Sequence, residues 1–279
     1  MSKHSKWAKV KNQKGVTDKK RSAIFTRLAR GITVAAKAKG GDPAMNFQLR
    51  MAIDQAKNAN MPKDNIERAI KKGAGEGSEA VNYEELMYEA FGPGGVGILI
   101  EVLTENRNRV ASDIKHILNK YGGSLAGAGS VRWMFEQKGI LQIPLAEIKN
   151  RDSSSAKASE DTSSSEFDNV GVHDDVFEKC ASTSKRPRRE EVEMAAIDAG
   201  AIDIKDEDDL FTVCTAPADL EKVKSALEDS GLKIEYAGLE WAAKEKVAVS
   251  DDIRAKLESL FAELEENEDV NEHYHNANI

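Results

Sequence analysis

The 279-residue chain is 40% apolar and 32% charged, a globular composition with room for two or three domains. Its longest apolar run, Val96 to Leu103, is broken by Glu101 and falls far short of the roughly 20 residues that span a bilayer; no apolar core near the N-terminus reads as a signal peptide. Two cysteines, Cys180 and Cys214, are too few for a disulfide framework and wrongly spaced for a zinc knuckle, which fits a reducing cytosol.

The net charge of −8 averages two unlike parts. Residues 1–75 carry 18 Lys+Arg against 5 Asp+Glu, a net +13, whereas the other 204 carry 22 against 43, a net −21. Salt screens charge over roughly 8 Å, so a polyanion docking on the first segment responds to the local +13. The acidic remainder discourages unspecific contact elsewhere.

In chain order, residues 1–17 read as a basic arm, with Lys3, Lys6, Lys9, Lys11 and Lys14 around Trp7 and Val10. A helix is expected from Asp18, an acceptable N-cap, to about Lys39, ahead of Gly40 and Gly41. Asp42 and Pro43 read as the cap and first turn of a second helix, with Leu49, Ala52, Ile53 and Ala56 on one face. Met61 and Pro62 open a third, which Gly73 stops. After a Gly/Ser/Glu linker, strands are expected near Tyr83–Ala90 and Val96–Thr104 about a Gly-Pro-Gly-Gly turn, then a helix over about Asn106–Tyr121. Short strands follow near Ser130–Phe135 and Ile140–Ile143. Residues 150–185 lose all periodicity, and SSSAKASEDTSSSE has the composition of a disordered insert. Strands at Leu210–Thr215 and Leu232–Tyr236 and helices at Ala218–Asp229 and Asp251–Glu266 complete an α+β pattern of sheets with helices on one face.

The first helix is the most informative element. At 100° per residue Ile24, Phe25, Leu28, Ile32, Ala35 and Ala36 share one side. Lys19, Lys20, Arg27, Arg30 and Lys37 fall within about 100° of one another on the opposite side. A solvated face normally mixes signs, but residues 19–41 hold no acid, so with Arg21 and the arm this side reads as a phosphate-binding face. Trp7 amid five lysines could stack on a base or pack onto a domain.

Other motifs carry less. Gly92, Gly94 and Gly97 spell a dinucleotide fingerprint, but a strand rather than a helix follows, so they read as a turn. His273 and His275 would share a strand face without a third metal ligand at a telling spacing. Lys185, Arg186, Pro187, Arg188 and Arg189 look like an import patch and read better as a solvated linker. No nucleophile–base pairing can be argued, so neither catalytic residue, metal nor cofactor is expected.

The longer letters are specific. HSKWAKVKNQKG, IFTRLARGITVAAKAKGGDPAMNFQLRMAIDQAKNANMPKDNIERAIKKG, YEAFGPGGVGILIEVLTENRNRVASDIKHIL and the closing YHNANI resemble the YebC/PmpR family over residues 1–145 and about 190–279. Members are named as probable transcriptional regulators, some resemble ribosome-associated translation factors, and a mitochondrial relative is a translational activator of cytochrome c oxidase. The resemblance implies a helical domain over 1–80, a middle α+β domain over 81–138 and 237–279, and a third α+β domain over 139–236 inserted into it. The insert at 150–185 departs from the family pattern. The chain starts almost directly with the family motif, which favours a bacterial cytoplasm over a mitochondrial import route.

The expected protein is therefore a cytoplasmic, non-enzymatic regulator binding nucleic acid through Lys3–Lys39, with no membrane and no small-molecule substrate. The partner is ribosomal RNA on the ribosome, or DNA at a promoter. No helix-turn-helix signature places a reading helix in the major groove, which weakens sequence-specific DNA readout without excluding backbone binding. A face of Lys and Arg with few Asn or Gln, beside Trp7, favours RNA read by shape. An enzyme using an acidic cleft between the α+β domains is the remote alternative.

Overall fold

The computed structural model describes residues 18–75, 83–148, 187–207 and 209–279. The arm and the low-complexity insert lie outside them.

Three helices come first: α1 (Asp18–Lys39), α2 (Phe47–Asn58) and α3 (Lys63–Gly73). Ile32, Ala36, Leu49, Ile53, Ala56, Ile66 and Ala69 fill the space between them. Asn46, not Asp42, caps α2. Its carboxamide oxygen accepts from Leu49 N at 3.1 Å, and its amide donates to Ala35 O at 2.8 Å and Gly40 O at 2.9 Å. Asp42 instead accepts from Ala44 N and closes the preceding turn. Gly73, read as a helix stop, belongs to α3: a Cβ there would stand 2.3 Å from Thr33 O, so only glycine lets α3 approach α1 so closely.

The first sheet comprises β1 (Glu84–Phe91), β2 (Gly97–Thr104), β3 (Ser124–Leu125) and β9 (Val270–His275), in the order β3-β1-β2-β9. Ile98, Ile100 and Val102 face α4 (Arg107–Lys120) and α7 (Asp251–Glu266), where Val110, Ile114, Leu257 and Leu260 are fully buried. Each such side chain contributes roughly 1.5–3 kcal/mol by leaving water. His273 and His275 belong to this face and lie against the Phe261 ring at 4.9 and 4.5 Å. The three-glycine motif is the β1–β2 turn: Gly92 N donates to Val96 O, and Gly94 takes φ 77°. The strand expected at Ser130–Phe135 is instead a loop closing in a single 3-10 turn, Arg132–Met134.

The second sheet comprises β4 (Phe135–Pro144), β5 (Ala201–Glu207), β6 (Leu210–Thr215) and β7 (Tyr236–Ala243), in the order β5-β6-β4-β7. With α5 (Arg189–Ala199) and α6 (Leu220–Asp229) it encloses Leu141, Ile143, Phe211, Val213, Val223 and Leu227. Leu232–Glu235 make no strand; pairing begins at Tyr236, opposite Gln142. Because β4 and β7 pair from Phe135–Ala243 to Gln142–Tyr236, the limits expected at 138/139 and 236/237 fall inside paired strands. The chain leaves the first sheet before Phe135 and rejoins it at Val270, after the short β8 (Val247–Ala248), which pairs with the terminal β10 (Ala277–Asn278). Helices first, then two sheets each backed by helices, make this an α+β protein. Among the described residues no helix is long and apolar enough to cross a membrane.

Candidate nucleic-acid interface

α1 carries the expected phosphate-binding face, and the structure divides it. Arg27 and Arg30 do not point into solvent. The Arg27 guanidinium donates to the carbonyls of Glu265, at the C-terminal end of α7, and Asn267, just beyond it. Arg30 donates to Glu268 O at 2.7 Å and pairs with Asp269 at 2.9 Å. The Asp269 carboxylate is buried and takes a second arginine, Arg109 of α4, at 2.5 Å. Burial pulls the Arg27 guanidinium below its ordinary value, with Glu272 and Glu265 opposing. These two arginines fasten the helices to the first sheet, so the expectation that they meet phosphate is corrected. The helical projection placed them opposite the apolar stripe, but a second layer packs there too.

Arg21 and Lys37 remain exposed, joined by Lys39, which lies off the face drawn from the helical projection. From Ala23 to Ala36 no residue of α1 is exposed. The basic surface is therefore at the two ends of the helix and not along it. α3 adds Lys63, Arg68 and Lys71 on an exposed face that also carries Asp64 and Glu67. Lys72 lies 5.6 Å over the Tyr83 ring, which Arg30 approaches equally closely. Lys3, Lys6, Trp7, Lys9, Lys11 and Lys14, and the side chains of Lys19 and Lys20, lie outside the described residues. Arg189, from the candidate import patch, pairs with Glu193 and Asp206, each at 2.7 Å, and acts as a structural residue.

α2 fastens the helices to the second sheet: Gln55 donates to Ala237 O at 3.0 Å, and Lys224 of α6 pairs with Asp54 at 2.9 Å. Between the three layers lies a cleft of about 640 Å³. Its α1 wall is mostly small and apolar, with Ile24, Leu28, Gly31, Val34 and Ala38, and Arg27 joins it. The opposite wall carries Glu85, Glu101, Glu240 and Glu272 with Tyr236, Trp241 and Tyr274, and Arg132 stands at its margin. Burial pushes the Glu101 carboxyl up to about 7; the hydrogen bond from Asn271 pulls it back, while Glu85 and Glu272 push it further. Burial also raises both Tyr236 and Tyr274 well above the usual phenol value. This wall repels phosphate, so a polyanion can be held at the cleft's rims and not on its floor. The individual carboxylates could not be named from sequence because they come from four strands, β1, β2, β7 and β9, that only the fold brings to one wall.

A family profile described as the TACO1/YebC protein N-terminal domain matches residues 5–76. A second, described as the TACO1/YebC second and third domain, matches 83–184 and 152–277. A protein of Pseudothermotoga lettingae is 42% identical over 276 residues, covering 99% of this chain and 93% of its own length. One of Carboxydothermus hydrogenoformans is 42% identical over 279 residues, covering 100% and 99%. Both bear the name "Probable transcriptional regulatory protein". The crystal structure of a conserved hypothetical protein, Aq1575 of Aquifex aeolicus, superimposes with a TM-score of 0.76 at 35% identity, covering 99% of this chain and 97% of that one. Whole-length identity at this level, with profiles spanning nearly the entire sequence, decides the matter: the chain belongs to the TACO1/YebC family.

Proposed function

We propose that this protein is a nucleic-acid-binding regulator of gene expression that acts without catalysis, and that its partner is structured ribosomal RNA. The carrying observation is the acid-free stretch 19–41, whose cations Arg21, Lys37 and Lys39 stay exposed after Arg27 and Arg30 are drawn into the fold. A helix that reads bases in the major groove presents a face over two or three turns. α1 exposes no residue between Ala23 and Ala36, and the exposed face of α3 mixes signs, with a Lys63–Glu67 pair at 3.5 Å. Cations grouped at helix ends suit a phosphate surface recognised by shape, the mode of structured RNA. The raised Glu101 carboxyl is accounted for by burial and the neighbouring Glu85 and Glu272.

The names of the relatives favour a second reading, a DNA-binding transcriptional regulator. Competition at about 150 mM salt between purified ribosomes, random duplex DNA and promoter DNA separates the two. Ribosomes should displace both DNAs, with promoter and random duplex within about tenfold of each other, because backbone contacts are blind to sequence. A promoter preference beyond about a hundredfold, with ribosomes failing to compete, establishes the transcriptional role instead.

A further inference from the structure

Trp133 is 65% exposed, which is costly for the largest apolar side chain unless the surface has a use. It is not on a loose loop. The Glu89 carboxylate accepts from Gly129 N at 2.6 Å, Val131 N at 2.6 Å and Arg132 N at 2.9 Å, pinning the segment before the indole. The indole Nε1 donates to Ser130 O at 2.9 Å, and Lys244 Nζ donates to Trp133 O at 2.9 Å. With its only donor used internally, the ring offers a bare π-face.

Cations flank the loop that carries it, in an otherwise acidic half of the chain. Arg132 is exposed, its guanidinium 4.9 Å from the Trp241 ring centre. Lys244 is exposed and spends one of three N–H donors on the Trp133 carbonyl. Arg132 also lines the cleft opposite α1, so this loop and the basic helix border the same cleft.

We propose that Trp133 is a stacking platform for an unpaired base of the bound RNA, with Arg132 and Lys244 meeting the adjoining phosphates. A preformed aromatic face beside positive charge is how proteins hold single-stranded segments without reading sequence. Rigid presentation lowers the ordering cost of binding. The inference rests on the nucleic-acid reading above and adds a second contact, across the cleft from α1.

The test uses the full chain, a labelled uridine oligonucleotide of about 12 residues and an RNA duplex of equal length, followed by fluorescence anisotropy. Trp133→Ala should weaken oligonucleotide binding about tenfold, leave the slope against log salt unchanged and leave duplex binding within about twofold. Trp133→Phe should restore most of the loss. If Trp133→Ala binds the oligonucleotide as the native protein does while Lys37→Glu/Lys39→Glu does not, the platform is overturned and the nucleic-acid function stands. Equal loss on both ligands also overturns it, as does a Phe variant no better than Ala. If the native protein binds neither ligand nor ribosomes, the functional reading itself fails.

Discussion

Arg30 and Lys37 stand one heptad apart on α1, about 20° from each other around the axis and about 10 Å apart along it. In projection they are the same kind of residue. In the fold Arg30 is bound to Asp269 and the turn below it, and Lys37 is exposed beyond the end of that contact. A helical wheel keeps the angle and discards the axial position, and here the axial position decides. The first sheet reaches the middle of α1 and not its C-terminal end, so one stripe of cations serves two purposes.

The strongest way to break this comparison is to reverse each charge. Arg30→Glu sets a carboxylate against buried Asp269, whose remaining partner is then Arg109 alone. It should lower unfolding free energy by about 3–5 kcal/mol in urea titrations. Lys37→Glu/Lys39→Glu, which sets two carboxylates in the last turn against the helix dipole, should cost no more than about 1–2 kcal/mol. Similar losses in both would mean that α1 has no division between inner and outer cations.

The cleft sharpens the contrast from the opposite side. Glu101 is raised from 4.5 to about 7, so between those values the folded state holds more protons than the unfolded chain and stability falls as pH rises. Glu101→Gln keeps an acceptor for Asn271 and removes the charge. It should stabilise the protein by about 1–3 kcal/mol at pH 8, with the gain shrinking towards zero near pH 4.5. A gain independent of pH would mean that the carboxyl is not held near neutrality.

Glu89 behaves in the reverse sense. Burial raises its carboxyl, but the three backbone donors lower it more, for a net shift downward. Its stabilisation is present above the ordinary carboxylate range and is lost as pH falls through its lowered value. Glu89→Ala should cost about 1–2 kcal/mol at neutral pH by stranding those donors. The loss should fade in acid and come with faster amide exchange at Val131 and Arg132.

Much of the fold was legible in the sequence because it is local. α1, β2, α4 and α7 lie within a residue or two of the expected ranges, and the Gly92–Gly97 motif is a turn for the stated reason that a strand follows it. The errors lie where pairing or packing overrides local pattern. β7 begins at Tyr236, where β4 becomes its neighbour, and not at Leu232, where the apolar alternation starts. Asn46 caps α2 because Ala35 and Gly40 supply acceptors for its amide, a fact absent from the segment's own letters. At the candidate interface the acid-free stretch was readable, but the loss of Arg27 and Arg30 to the fold depended on residues some 240 positions away. Trp133 was hidden inside an expected strand, where half-buried aromatics are ordinary.

The most direct test of the central claim is the salt dependence of binding to structured ribosomal RNA by the native protein and by Lys37→Glu/Lys39→Glu. With about six phosphates engaged, native affinity should fall about a thousandfold between 50 and 200 mM salt. The variant, still folded, should bind at least about tenfold more weakly at low salt, with a slope shallower by about two units. A variant with native affinity and native slope would contradict the assignment of nucleic-acid binding to the exposed end of α1.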